Sequence, residues 1–255
     1  MKVITLQSGS NGNCVYVEGC GVRLLLDAGI SGLQAQRRLA EHRRDIHDVD
    51  AVIISHDHAD HSRCAGVYQR KFHLPLYAAP RCLRMADARC GLGELKDVHH
   101  FEPGQTLHFG RLTVQTVPTP HDGIDAVAFV VCGEGKKLGV LTDLGHVFEK
   151  LSSVVASLNA LILESNYDPE MLRRGPYPPA LQRRILGPGG HLSNVEAAEL
   201  VAQAATGRLK WLCLAHLSEQ NNTPQLALDT HRKVIPRHLR LLAASRWRAG
   251  EMLQV

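Results

Sequence analysis

The 255-residue sequence contains no C-x-x-C pair, although it has seven cysteines. An odd number of thiols scattered over positions 14, 20, 64, 82, 90, 132 and 213 makes neither a disulfide framework nor a thiolate zinc site. The expectation is reduced, mostly buried thiols in a cytoplasmic protein. Long apolar runs are also missing. The N-terminus, MKVITLQSGSNGN, offers one lysine and the short run VITL, too little for a signal-peptide core, and no later stretch approaches the length of a membrane span. There is no low-complexity segment and no linker, so one domain is expected over residues 1–255. Charge of one sign is not in large excess either. The formal net charge of +4 is only mildly basic and suits an ordinary soluble surface. The basic residues nevertheless come as doublets, among them Arg37–Arg38, Arg43–Arg44, Arg173–Arg174 and Arg183–Arg184. Several doublets on one face would suit a polyanion.

What is present is a series of short apolar runs: VITL, CVYVE, VRLLLDAG, DAVIIS, LTVQTV, AVAFVVC, KLGVLTD, ALILES, KWLCLAHL and LRLLAA. Turn signals such as SNGN, EPGQ and GEGKK separate several of them. Helical periodicity is expected over 31–44, 60–72, 80–89, 145–157, 193–205 and 223–235. Ser193 followed by Glu196 reads as a capping box, and Thr223 before Pro224 as an N-cap with proline at the first helical position. DAVIIS, KLGVLTD and ALILES are nearly continuous apolar stretches, as in strands buried on both faces. Together these imply an α/β fold of two packed sheets with helices outside, a four-layer αββα sandwich. Residues 165–192, rich in Gly, Pro and Arg, read as a loop covering one rim.

The densest chemistry lies in ISHDHADH, residues 54–61, directly after an apolar run. His56 and His58 are two residues apart at a strand end, so their side chains leave on the same side and can converge on one ion. Asp60 and His61 follow a turn and enter the same space from another direction, where they can hold a second ion. Asp57 alternates with the two histidines and should point away. The bland alternative is a polar loop whose charges meet only water.

HDHADH fits H-x-H-x-D-H and resembles the metal motif of the metallo-β-lactamase fold hydrolases. The resemblance implies that His56 and His58 bind one ion and that Asp60 and His61 bind the other. It further implies Asp27 of LLLDAG at the end of a preceding strand. His121 of TPHDG becomes a third histidine on the first ion, Asp143 of GVLTDLG a bridging aspartate, and His216 of CLAHLS the last ligand of the second ion. His99, His100 and His108 are alternatives to His121; Asp143 is alternatively a turn former, and His216 a buried core histidine. Histidines 42, 47, 73, 146, 231 and 238 read as surface or structural.

The segment ESNYDPEMLRRGPYPPALQRRILGPGGHLSN, followed by HLSEQNNTP, resembles the YycJ/WalJ-like exonuclease branch of that family. One departure is Tyr167, which stands where many relatives lead one to expect histidine. This resemblance implies a dinuclear-metal-dependent phosphodiesterase, a 5′-to-3′ DNA exonuclease acting on duplex ends with a 5′-phosphate. The implied cofactors are two divalent ions, Zn²⁺ or Mn²⁺ and also Fe²⁺, since histidine–carboxylate ligation admits all three. The implied substrate is nucleic acid, DNA ahead of RNA; no membrane and no protein partner is indicated. His191 would donate a proton to the leaving oxygen or stabilise the transition-state charge, Asp60 would serve the metal chemistry, and Glu164 would orient His191 or a metal ligand, the alternative being that Glu164 and His191 only pin the covering loop. The alternatives on the same scaffold are an RNA-processing nuclease, a small-molecule phosphodiesterase, and a thioesterase or lactonase.

Substrate contacts are expected from three places. Ser10, Asn11 and Asn13 of the SGSNGN loop would offer backbone N–H groups to a terminal phosphate, the alternative being a plain hairpin turn. Arg173 and Arg174, with Arg183 and Arg184, would make arginine–phosphate contacts, the alternative being a solvated helix face. Ser193 and Asn194 stand beside a helix N-terminus that favours a phosphate oxygen.

Overall fold

A computed structural model describes residues 1–255 and sets fourteen strands into two seven-stranded sheets. The first sheet holds β1 (Lys2–Gln7), β2 (Cys14–Gly19), β3 (Val22–Leu26), β4 (Ala51–Ile53), β5 (Leu76–Ala78) and β6 (Val98–His100). The second holds β7 (Thr106–Phe109), β8 (Leu112–Pro118), β9 (Val127–Gly133), β10 (Lys136–Leu141), β11 (Ala160–Glu164), β12 (Trp211–Ala215) and β13 (Arg240–Ala243). The last strand, β14 (Leu253–Gln254), returns to the first sheet beside β1.

Each sheet begins as antiparallel hairpins and continues in parallel. Cys20 and Gly21, both at positive φ, turn β2 into β3, and Glu134 and Gly135 do the same between β9 and β10. Two consecutive left-handed residues give the turn whose twist matches paired strands. From β3 through β6, and from β10 through β13, neighbours run parallel and need crossovers. Helices α1 (Gly32–Glu41), α2 (Ala59–Ser62), α3 (Ala65–Phe72) and α4 (Pro80–Cys90) supply them in the first half. In the second half α5 (Glu149–Ser157), α6 (Pro169–Arg174), α7 (Pro179–Leu186), α8 (Asn194–Ala204) and α9 (Pro224–Arg232) follow.

Period-two alternation produces the layering. Val127, Phe129 and Val131 of β9 join the large core shared with the first sheet, whereas Ala128 and Val130 join the layer beneath α5, α8 and α9. The result is the four-layer αββα sandwich. No helix is long and apolar enough to cross a membrane.

The capping box of Ser193 and Glu196 and the Thr223 N-cap are both present, and Ser31 with Gln34 forms a further box at the start of α1. Three expectations change. The helix over 60–72 breaks at Arg63–Cys64, where the Cys64 N–H turns to donate to the Ala28 carbonyl. The helix expected from 145 starts at Glu149, because Asp143 and Gly145 take left-handed backbone in between. The expected loop at 165–192 contains α6 and α7; its prolines open the helices and Gly175 and Gly187 close them. These two helices have their own small core of Tyr167, Leu172 and Ile185, separate from the main ones.

The functional consequence lies at the carboxyl ends of the parallel strands. Asp27 follows β3, Ser55 to His58 follow β4, Asp143 follows β10, Glu164 ends β11 and His216 follows β12. Ligands of open α/β sheets gather at these strand ends. Asp27, Asp143 and His216 sit there at φ +67°, +57° and +54°. Left-handed backbone at a non-glycine residue costs on the order of 1–3 kcal/mol and persists only where the surroundings enforce it.

Candidate metal centre

His56, His58 and His121 bring one nitrogen each to within 4.8 Å of one another. His121 Nε2 lies 3.2 Å from His58 Nδ1, while His121 Nδ1 donates to the Gly190 carbonyl at 2.9 Å. That donation fixes the tautomer and leaves Nε2 free to ligate. His56 Nδ1 is held 3.0 Å from Ser55 Oγ, and its Nε2 is buried without any hydrogen-bond partner. Gly123 permits this packing, because a Cβ there would stand 2.6 Å from His56 Cδ2.

A second group gathers Asp60, His61 and His216. His61 Nδ1 donates to Asp27 Oδ2 at 2.7 Å, so its Nε2 turns to the cluster. Nε2 of His216 lies 3.2 Å from Asp60 Oδ2, and its Nδ1 is 3.0 Å from the Asn166 side-chain nitrogen. Asp143 stands between the groups: its oxygens are 3.1 Å from His61 Nε2 and 3.6 Å from both His121 Nε2 and His216 Nε2. Asp57 belongs to none of these groups. It is wholly buried behind them, where Oδ1 accepts from the Ile124 N–H and Oδ2 lies 3.0 Å from Arg89 Nε.

The charges fit a cation. Burial holds His56 well below the ordinary imidazole range and brings His58 down to about 4, so both are neutral, as ligation requires. Burial also acts on the other groups but is outweighed. Asp143, Asp27 and Asp60 push His61 well above its usual value, and Asp143 and Asp60 raise His216 to about 9. In return the histidines hold Asp60 and Asp143 well below the usual carboxylate range, against burial. One buried acceptor, His56 Nε2, has no hydrogen-bond partner, and Asp143 Oδ2 has only the His61 ring, 3.1 Å away, beside it. A buried acceptor left unmade is costly unless an ion completes it. The donor set therefore fits divalent metal.

His191 stands beside this centre, with its Nδ1 2.6 Å from Glu164 Oε1. Glu164 is fully buried, and its other oxygen accepts from the Leu144 and Leu192 N–H groups. Asp143, Glu164, His191 and His216 also lie close enough to hold an ion. Glu164 is occupied by three donors, however, and has His191 as its one side-chain partner within hydrogen-bond distance. With Nδ1–H committed to Glu164, the free nitrogen of His191 is Nε2.

The structure places the expected substrate contacts unequally. Ser10 lines the pocket of about 580 Å³ over the centre, together with Arg89, Asn166 and Arg184. Asn13 is buried against the metal groups, its side-chain nitrogen 2.9 Å from His61 Nε2 and 3.2 Å from Asp60 Oδ2. Asn11 donates to the Arg246 carbonyl. Arg173 and Arg174 are paired with Glu170 on an exposed face and do not line the pocket. Ser193 is spent in its capping box, and Asn194 is buried against Ser165 and Asn222. Tyr167 lies in the small core under α6 and α7, which removes it from the pocket. His99, His100 and His108 lie outside the centre.

Arg89, Asn166 and Ser218 line the pocket without having been singled out from the sequence. Arg89 comes from α4, a helix whose periodicity marks only a surface face. Arg184 belongs to a recognised doublet; only the fold shows that it, rather than Arg173, reaches the rim, gripped by Asp122 at 2.6 and 2.9 Å.

The family model described as "Beta-lactamase superfamily domain" matches residues 22–213. Exodeoxyribonuclease WalJ of Streptococcus pneumoniae is 36% identical over 228 residues, covering 89% of this chain and 85% of that protein. Exodeoxyribonuclease YycJ of Bacillus anthracis is 36% identical over 222 residues, covering 87% and 84%. Among solved structures, the metallo-beta-lactamase fold protein YhfI from Bacillus subtilis superposes with a TM-score of 0.72 over 98% of both chains at 16% identity, a likeness of fold.

Proposed function

We propose that this chain, which belongs to the beta-lactamase superfamily, is a metal-dependent exonuclease of DNA. The observation that carries the reading is the identity of 36% over most of the chain to two proteins named exodeoxyribonucleases, joined to a centre whose donor set fits divalent metal. The finer reading is two ions, Zn²⁺, Mn²⁺ or Fe²⁺, and digestion of duplex DNA from a 5′-phosphorylated end.

In this proposal His56, His58 and His121 hold one ion, Asp60, His61 and His216 the other, and Asp143 touches both groups. Bound ions would lower the pKa of a water and clamp the oxygens of an in-line phosphoryl displacement. The protein's own groups do the rest. Arg89, Arg184 and Ser10 at the pocket wall meet the phosphate backbone. His191, steadied through Nδ1 by Glu164, offers its Nε2 to deliver a proton to the departing 3′-oxygen. Asn13 keeps Asp60 and His61 in place.

The test is incubation of metal-loaded protein with four end-labelled substrates: 5′-phosphorylated duplex DNA, its unphosphorylated twin, single-stranded DNA and RNA. Stepwise shortening of the phosphorylated duplex ahead of the others is expected. Four intact substrates alongside hydrolysis of a thioester or lactone would overturn the reading.

A further inference from the structure

Outside the metal pocket, the largest exposed apolar side chain is Trp247, 66% accessible on the segment SRWR. A tryptophan this open on a soluble surface invites a ligand, and here the backbone carrying it is fixed on several sides. Buried Arg38 donates through Nη2 to the Trp247 carbonyl at 2.8 Å. Ser245 Oγ accepts from the N–H groups of Trp247 and Arg248. The Ser8 N–H donates to the Ser245 carbonyl, and Asn11 Nδ2 to the Arg246 carbonyl. Through those last two bonds the segment is joined to the same loop whose Asn13 touches Asp60 and His61.

The indole is also electrostatically prepared. The Arg246 guanidinium lies 5.5 Å from its ring centroid, and is itself held by the Leu217 carbonyl and Glu219. The pair offers an aromatic face with an arginine beside it, the combination that binds single-stranded nucleic acid by stacking and cation–π attraction. Beside it lies a groove of about 450 Å³ whose walls include Ser8, Asn222, Trp247, exposed Arg248 and Ser218. Ser218 also lines the metal pocket, so the groove and the centre lie on either side of one residue.

We propose that Trp247, backed by Arg246 and flanked by Arg248, is a stacking subsite for one unpaired nucleobase of the strand whose end lies in the metal pocket. The inference rests on the exonuclease reading and deepens it by locating where the strand is gripped. An aromatic face with a neighbouring cation accepts any base, which suits an enzyme that moves along a strand whatever its sequence.

Trp247 and Trp211 are the only tryptophans, and Trp211 is buried with its N–H on the Gln254 carbonyl, so emission from an exposed indole reports Trp247. Metal-loaded protein is titrated with a 5′-phosphorylated phosphorothioate oligothymidylate that resists cleavage. Saturable quenching is expected, and Trp247→Ala should abolish it. The same variant should raise KM on DNA roughly 5- to 100-fold, with the loss falling on KM rather than kcat, and Trp247→Phe should restore most of it. Bound oligonucleotide, seen by anisotropy, without quenching overturns the subsite, as does an unchanged KM in Trp247→Ala. Quenching without strand cleavage leaves the subsite standing and overturns the exonuclease reading. Absence of both binding and cleavage overturns both.

Discussion

Glu164 Oε1 stands 2.6 Å from His191 Nδ1 at a site where the glutamate is fully buried and its remaining oxygen is taken by two backbone N–H groups. In the proposed mechanism such a carboxylate does not reach substrate but holds the His191 ring. His191→Ala should lower kcat about 10²- to 10⁴-fold, the range typical of a lost proton donor. Glu164→Gln should cost about 10- to 100-fold, as orienting partners do. Both variants should keep their metal, measured by elemental analysis of purified protein. Loss of metal from His191→Ala would make it a ligand instead.

The two aspartates of HDHADH should separate cleanly. Asp60→Ala removes a carboxylate from the second group, and activity on any phosphodiester should vanish with metal content reduced. Asp57→Ala leaves both groups intact but orphans the Ile124 N–H and frees Arg89. It should retain metal and lose about 1–3 kcal/mol of stability, the cost of an unsatisfied buried group. Equal metal loss in the two variants would refute the distinction.

Gly29 faces the centre from behind: a Cβ there would stand 1.7 Å from the Asp60 carbonyl oxygen. No rotamer relieves a clash with backbone. Gly29→Ala should destabilise by about 1–3 kcal/mol or more and displace Asp60. Thermal melting with and without metal would register it as a lower Tm and a smaller stabilisation by metal. An unchanged metal response would show that the loop had moved aside without disturbing Asp60.

Metal binding should release protons. His216 is raised from 6.5 to about 9, and His61 is also held well above its usual value, by the carboxylates around them. A raised pKa contributes stability that is fully present below about 6.5 and is lost as pH climbs through 9. Chelator-treated protein should therefore melt at lower temperature as pH rises across that window. Metal affinity should rise over the same interval, by about tenfold per pH unit for each proton displaced. Calorimetric titrations in buffers of different ionisation enthalpy count those protons, and flat affinity from pH 6.5 to 9 would contradict the argument.

The legible part of this molecule is the part that is local or periodic. HDHADH is contiguous, so its chemistry is visible before any folding. Asp143, Glu164 and His216 each close a buried strand, and a strand of continuous apolar residues announces its end. What escaped depends on contacts far apart in the chain. Arg89 reaches the pocket from the end of α4, and Asn13, expected to meet a phosphate through its backbone, turns its side chain inward to His61, forty-eight residues away. The helices inside 165–192 escaped because each is too short to show a period; only their proline starts and glycine stops betray them. Trp247 escaped because an isolated aromatic carries no pattern at all.

The roof over the centre has its own small core, Tyr167, Leu172 and Ile185, and a latch, Arg184 on Asp122, that spans the pocket mouth. A unit with so small a core of its own is expected to open locally before the sandwich beneath it. Amide hydrogens of residues 169–186 should then exchange in a regime set by the latch, well ahead of those in β11. Arg184→Gln, which removes the latch without touching the histidines that Asp122 also adjoins, should quicken that exchange. The rate at which a product nucleotide escapes would be governed there, by a local opening of the lid rather than by bond cleavage beneath it.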